Sequence, residues 1–155
     1  MRAVVQRVTG AEVRVDGEVV GAIGPGFCVL LGCGPSDTEA TARHLAGRVA
    51  TLRVLADDVG RMNRDLASTG GEVLVVSQFT LYADTSRGHR PSFVSAGPPE
   101  LAERLCEVFC GELTERGLRV ATGRFAAHLR VRLENDGPVT MVLTSGEPPW
   151  PADAG

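Results

Sequence analysis

The feature that most restricts this chain is Asp16-Gly17, flanked by the alternating apolar stretches 11–15 and 18–23. A two-residue type I′ turn needs positive φ at both central residues, which Asp and Gly tolerate, so the pair predicts a β-hairpin. Residues 4–8 read as a further strand ahead of it. Gly24-Pro25-Gly26 then breaks the chain. Residues 27–31 are apolar throughout, as expected of a strand buried on both faces.

Helical spacing follows. Ser36 and Glu39 suit a capping box, and Thr38, Ala42, Leu45, Val49 and Leu52 line one face of the helix after it. Residues 57–69 are polar and turn-like, closed by Gly70-Gly71, before an apolar strand over 72–78. Pro98-Pro99 open a second helix with the stripe Leu101, Leu105, Val108, Phe109 and Leu113, and Gly117 stops it. Residues 128–134 alternate cleanly, and Asn135-Asp136-Gly137-Pro138 reads as a sharp turn into a last strand over 139–144. The prediction is one α+β domain over 1–144, two helices against mostly antiparallel strands, with a Pro-rich, disordered tail over 145–155.

At 155 residues the chain is long enough to bury a core without disulfide or metal staples. All 16 basic residues are Arg and none is Lys, which excludes a lysine Schiff base, a pyridoxal-phosphate anchor and a P-loop lysine. A net charge of −3 does not mark a nucleic-acid binder, so any RNA contact falls to a local Arg patch. Arg87, Arg90, Arg124, Arg130 and Arg132 are the candidates. The four cysteines are spaced C-x4-C and C-x3-C, not as a zinc knuckle, and read as small buried hydrophobes. No apolar run is long enough to span a bilayer, and the first residues lack a signal-peptide core, so the expected location is cytoplasmic, with no membrane contact.

Familiar catalytic signatures are missing. There is no G-x-S-x-G elbow, H-E-x-x-H or Walker A sequence. Gly21, Gly24 and Gly26 imitate a phosphate loop poorly, since Pro25 removes an amide donor and no helix follows. His44, His89 and His128 are scattered, and Asp57, Asp58 and Asp136 sit in turns. Two polar constellations remain. Ser77-Gln78-Phe79-Thr80 ends an apolar strand, where hydroxyls and amides form either a donor pocket for an oxyanion or simply a strand reaching solvent. Gly137-Pro138 is the other, and from sequence alone its peptide bond defaults to trans.

Several motifs in register then carry a resemblance: SQFTLYAD at 77–84, RPSF at 90–93, TGRFAA at 122–127 and NDGPVT at 135–140. MRAVVQRV at the start, VGAIGPGFCVLLG and GRMN at 60–63 match as well. Over residues 1–144 the chain resembles D-aminoacyl-tRNA deacylase. The resemblance implies a homodimer with a β-barrel-like core that hydrolyses the ester joining a D-amino acid to the acceptor end of tRNA. Glycine mischarged on alanine tRNA is a second implied substrate. It also implies that Gly137-Pro138 is cis and reaches into the partner subunit's active site. There it rejects an L side chain sterically, so the site filters chirality and tolerates many side chains.

By the same resemblance Ser77, Gln78, Phe79 and Thr80 are the catalytic segment. Backbone amides near Phe79 and Thr80 stabilise the oxyanion, and the ribose 2′-hydroxyl helps position or activate the water. Phe125 lines the adenosine and amino-group pocket. No metal or other cofactor is implied. Ala126 stands where many relatives carry Gly, and Leu129 near a position often held by Met. Two alternatives stay open: a non-catalytic RNA-binding module using Arg130 and Arg132, and a Ser/Thr esterase using Ser77.

Overall fold

The structure, a computed structural model, describes residues 1–145. Eight strands and three α-helices follow in the order β1 (Arg2–Val15), β2 (Glu18–Ile23), β3 (Gly26–Gly32), α1 (Glu39–Ala50), β4 (Leu55–Ala56), β5 (Met62–Arg64), α2 (Leu66–Thr69) and β6 (Glu72–Ser77). A 3-10 turn (Phe79–Tyr82), α3 (Pro99–Glu115), β7 (Val120–Thr122) and β8 (Arg130–Thr144) complete the chain.

The Asp16-Gly17 hairpin forms as expected, with φ of +49° and +86°. β1 is long enough to serve three partners: its first half pairs β3, its second half pairs β2, and β8 runs antiparallel along its other edge. The order β2-β1-β3-β6-β7 then curls towards closure. A Cβ on Gly21 of β2 would collide with the Thr122 carbonyl of β7, so the ends of this path nearly meet. The sheet is mixed, not mostly antiparallel. β6 lies parallel to both β3 and β7 because α1 and α3 supply the long crossovers that parallel neighbours require.

Alternation sorts the side chains into two cores. Val8, Val13, Cys28, Leu74 and Val76 fill the small interior of the curled sheet. Ala3, Val5, Phe27, Val29, Val73 and Val75 face outward against Leu45 and Val49 of α1 and Leu105, Phe109 and Leu113 of α3. The continuous apolar runs of β3 and β6 therefore mark strands buried on both faces.

Four local expectations change. Helix α1 is capped by Thr38, whose hydroxyl accepts from the Thr41 amide at 3.3 Å while Thr41 Oγ1 accepts from the Thr38 amide at 2.8 Å; Ser36 and Glu39 do not form the box. The polar span 57–69 contains β5 and a third helix, α2, whose Leu66 is fully buried; a single turn is too short to show periodicity. Residues 130–144 form one strand, because β1 pairs it on both sides of a bulge: the ladder passes from Asn135 to Thr140, and 136–139 loop out without a β1 partner. Finally, Ser145 belongs to the fold: its amide donates to the Met1 carbonyl at 2.9 Å. The rest of the expected tail, residues 146–155 with Trp150, lies outside the described residues.

Beside that contact sits a buried ion pair. The terminal ammonium of Met1 donates to Asp37 Oδ1 and to the Ser145 carbonyl. Asp37 Oδ2 accepts from the Gly34 amide at 2.7 Å and from the Tyr82 hydroxyl at 3.3 Å. Removing this carboxylate strands a buried cation and two donors. Asp37→Ala is expected to lower unfolding free energy by about 3 kcal/mol, a drop in Tm of roughly 10 °C. Tyr82→Phe, which removes only the longest of these bonds, should cost about 1 kcal/mol by chemical denaturation.

Candidate active site

A cavity of about 570 Å³ opens where β6 ends. Its walls come from four segments: Val75 to Phe79, the stretch Thr122 to Ala127 from the end of β7, one face of α3, and Leu129 with Val131 at the start of β8. The apolar strand β6 delivers Ser77 and Gln78 to the rim because their neighbours Val73 to Val76 are locked in the two cores. Its parallel neighbour β7 delivers Phe125 to the same cavity.

The chain turns sharply after Ser77. The Gln78 amide still donates to Leu31 at 2.8 Å, and the Leu81 amide donates to the Gln78 carbonyl at 3.2 Å. Between them, the amides of Phe79 and Thr80 begin a 3-10 turn and have no intrahelical acceptor. Gln78 Nε2 donates to Thr80 Oγ1, fixing that hydroxyl beside the turn. Among the described residues no histidine or carboxylate hydrogen-bonds Ser77 or Thr80; His44, His89 and His128 are all exposed. The site thus presents amide donors without an activated side-chain nucleophile.

Ser77, Gln78, Phe79 and Phe125 are brought together around the cavity, with Thr80 one bond behind. Gly137-Pro138 is not. It lies on the bulge of β8 and does not line this cavity within its own chain. Its peptide bond is cis, where sequence alone defaulted to trans. The bulge is tied down from β1: Arg7 Nε donates to the Asp136 carbonyl at 3.1 Å and pairs with its carboxylate at 3.1 Å, while Arg7 Nη1 donates to Val54 at 2.7 Å. Asn135 Nδ2 bridges the base of the bulge, donating to the Arg7 and Val139 carbonyls at 3.0 and 2.9 Å. Gly137 has φ +134°, and a Cβ there would stand 2.7 Å from Val139 Cγ2 and 3.0 Å from Arg7 Nη2. The result is an exposed backbone loop held rigidly.

Sequence reasoning missed the α3 wall. Glu103, Cys106, Glu107 and Cys110 face the cavity, and the i,i+4 spacing within each pair was the available signal. Cys106 and Cys110 are half-buried cavity residues, unlike Cys28 and Cys33, which are buried as expected. Ala126 has φ +59°, an unfavourable left-handed conformation for a residue with a Cβ. A glycine at this position would adopt that conformation without strain.

The chain resembles known proteins over nearly its whole length. Residues 4–144 match the family model described as D-Tyr-tRNA(Tyr) deacylase. A D-aminoacyl-tRNA deacylase of Roseiflexus sp. (strain RS-1) is 62% identical over 145 residues, covering 94% of each chain. A solved structure described as c-Myc DNA Unwinding Element Binding Protein superposes with a TM-score of 0.88 at 40% identity, covering 95% of this chain and 100% of that one. A probable eukaryotic D-amino acid tRNA deacylase shares the fold at a TM-score of 0.81 and 17% identity, covering 92% and 97%. The curled mixed sheet is that of a deacylase fold. The chain belongs to the D-Tyr-tRNA(Tyr) deacylase family.

The thiols report on the cavity wall. The Cys110 thiol donates to Cys106, which lowers the Cys106 pKa and raises that of Cys110. Burial pushes Cys28 and Cys33 up to about 11. As the thiolate is the nucleophile, iodoacetamide at pH 8 is expected to label Cys106 first in the folded protein, with Cys28 and Cys33 reacting only on unfolding. Mass spectrometry of the digested protein reads the order.

Proposed function

We propose that this protein hydrolyses the ester between a D-amino acid and the 3′-terminal adenosine of tRNA, releasing free D-amino acid and tRNA. Family membership over nearly the whole chain supports the reaction. The observation that carries the mechanism is the pair of amides at Phe79 and Thr80, at the rim of the cavity and just behind it, which no acceptor among the described residues engages. Water adds to the ester carbonyl, the amides hold the developing oxyanion, and the carbonyl–O3′ bond breaks as O3′ takes up the proton that the water gives up. The ribose 2′-hydroxyl of the substrate positions the attacking water. Phe125 and the α3 face enclose the adenosine and the amino group.

In this reading the working enzyme is a homodimer in which Gly137-Pro138 of one subunit caps the cavity of the other. The rigid bulge lies away from its own cavity, so a second copy must bring it there. β8 leaves one edge unpaired among the described residues and carries exposed Val131 and Val142, which suits strand-edge or face-to-face association. Backbone presented where an L side chain would project excludes L-aminoacyl groups. A D side chain points elsewhere, and glycine has none, so glycine mischarged on alanine tRNA is also a substrate.

The first test is ester lifetime. Wild-type protein is expected to cleave D-tyrosyl-tRNA and glycyl-tRNA and to spare L-tyrosyl-tRNA, while Gly137→Ala, which displaces the bulge, loses the D-over-L preference. Isolated mixed dimers of one Gly137→Ala chain and one Phe79→Pro chain decide the geometry. If the loop acts across the interface they recover the preference; if it acts within its own chain they stay unselective.

Phe79→Pro tests the amides directly. Proline is tolerated at the first position of a helical turn but has no N–H. It is expected to lower kcat about 100-fold, well beyond Phe79→Ala, while Thr80→Ala costs about tenfold or less. A loss above roughly 10³-fold in Thr80→Ala would instead mark a side-chain nucleophile or base.

A further inference from the structure

Most arginines of this chain are engaged. Arg7, Arg14, Arg53, Arg64, Arg116 and Arg119, for example, hold carboxylates or backbone carbonyls. Among the described residues, Arg87 and Arg90 make no ion pair or hydrogen bond through their guanidiniums, and both are exposed. They lie on one loop, pinched at its base by the reciprocal backbone bonds of Asp84 and Ser92 at 2.8 and 2.9 Å. Asp84 Oδ1 further accepts from the Ser86 amide at 2.9 Å. The residue just past this pinch, Phe93, packs edge-to-face on Phe79 with ring centroids 5.1 Å apart. Both rings stay exposed, Phe79 at 56% and Phe93 at 38%. Phe79 also forms part of the cavity rim, so the pair continues the site outward onto the surface.

Exposed aromatic rings beside unpaired guanidiniums fit one ligand chemistry especially well. Unstacked bases lie on aromatic faces while phosphates meet Arg. The cavity, at about 570 Å³, is on the scale of one drug-sized ligand such as an aminoacylated nucleoside. The nucleotide preceding that nucleoside therefore has to lie outside. We propose that the Phe79–Phe93 pair is a stacking platform for the unpaired nucleotide next to the terminal adenosine, with Arg87 and Arg90 gripping the adjoining phosphates. This rests on the deacylase reading above and adds to it the surface that distinguishes an RNA ester from a simple nucleoside ester. Edge-to-face packing of Phe93 fixes the Phe79 ring, and the Asp84–Ser92 pinch anchors the arginine loop directly before Phe93.

The test compares two substrates, D-tyrosyl-tRNA and D-tyrosyl-adenosine, on the full-length protein. Phe93→Ala is expected to raise KM for the tRNA ester about tenfold with little change in kcat. The ratio of kcat/KM for the tRNA ester to that for the adenosine ester should fall to the same degree, and Phe93→Tyr should restore it. The double variant Arg87→Ala/Arg90→Ala should flatten the salt dependence of kcat/KM for the tRNA ester by about one unit of log–log slope. Equal losses on both substrates would reduce Phe93 to a support for Phe79 and overturn the platform. An unchanged ratio would overturn it too, as would a Phe93→Ala protein that becomes monomeric in sedimentation, which would make the pair an interface between copies. Failure of wild-type protein to cleave either ester would strike the deacylase reading itself, a separate result.

Discussion

Everything in this fold hangs on β1 being hydrogen-bonded along both edges. One edge is divided between β3 and β2, which starts the curl of the sheet. The other edge carries β8 for almost its whole length. A strand so placed cannot slip, because a one-residue shift would turn Ala3, Val5, Val8 and Val13 out of their cores at once. The register is interrupted where β8 bulges, near Arg7 and Val8, and there Arg7 and Asn135 replace ladder bonds with side-chain ones. The chain's most rigidly held pairing thus supports its most exposed backbone loop.

The cavity obtains its polar groups in the opposite way. β6 buries both faces and runs parallel to β7, so its polar residues emerge only where the strand ends. Ser77 to Thr80 and the loop around Phe125 meet there because the strands that deliver them are neighbours. What they offer is chiefly backbone. Two amides free at the start of a turn are preorganised without a buried charge, and such donors act where charge develops in the transition state. In the proposed reading, chirality discrimination by a backbone loop follows the same economy, since it needs no contact with the substrate side chain and leaves the side-chain range broad.

The sequence showed much of this in some places and none of it in others. The Asp16-Gly17 hairpin, the doubly buried runs of β3 and β6, and the stripe of α3 were legible because each is a local pattern of period or turn chemistry. Parallel pairing of β6 was not, since it depends on which strands the crossing helices bring together. Thr38 rather than Ser36 caps α1 because Asp37 is drawn into the ion pair with Met1, a contact spanning 36 residues. The bulge at 135–138 read as a turn because Asn-Asp-Gly-Pro has turn chemistry; only β1 lying alongside keeps it in the strand.

Of the site, the sequence by itself determined the parts: a polar segment at the end of an apolar strand, a Gly-Pro pair, and motifs that place the chain in its family. These are properties of short stretches, fixed by the residues themselves. The tertiary structure decided how the parts combine. It brought Phe125 and the α3 face to Ser77–Phe79, left the Phe79 and Thr80 amides without acceptors, and set Gly137-Pro138 apart from the cavity of its own chain. Distances between segments far apart in sequence follow from packing and strand order, which no local pattern encodes.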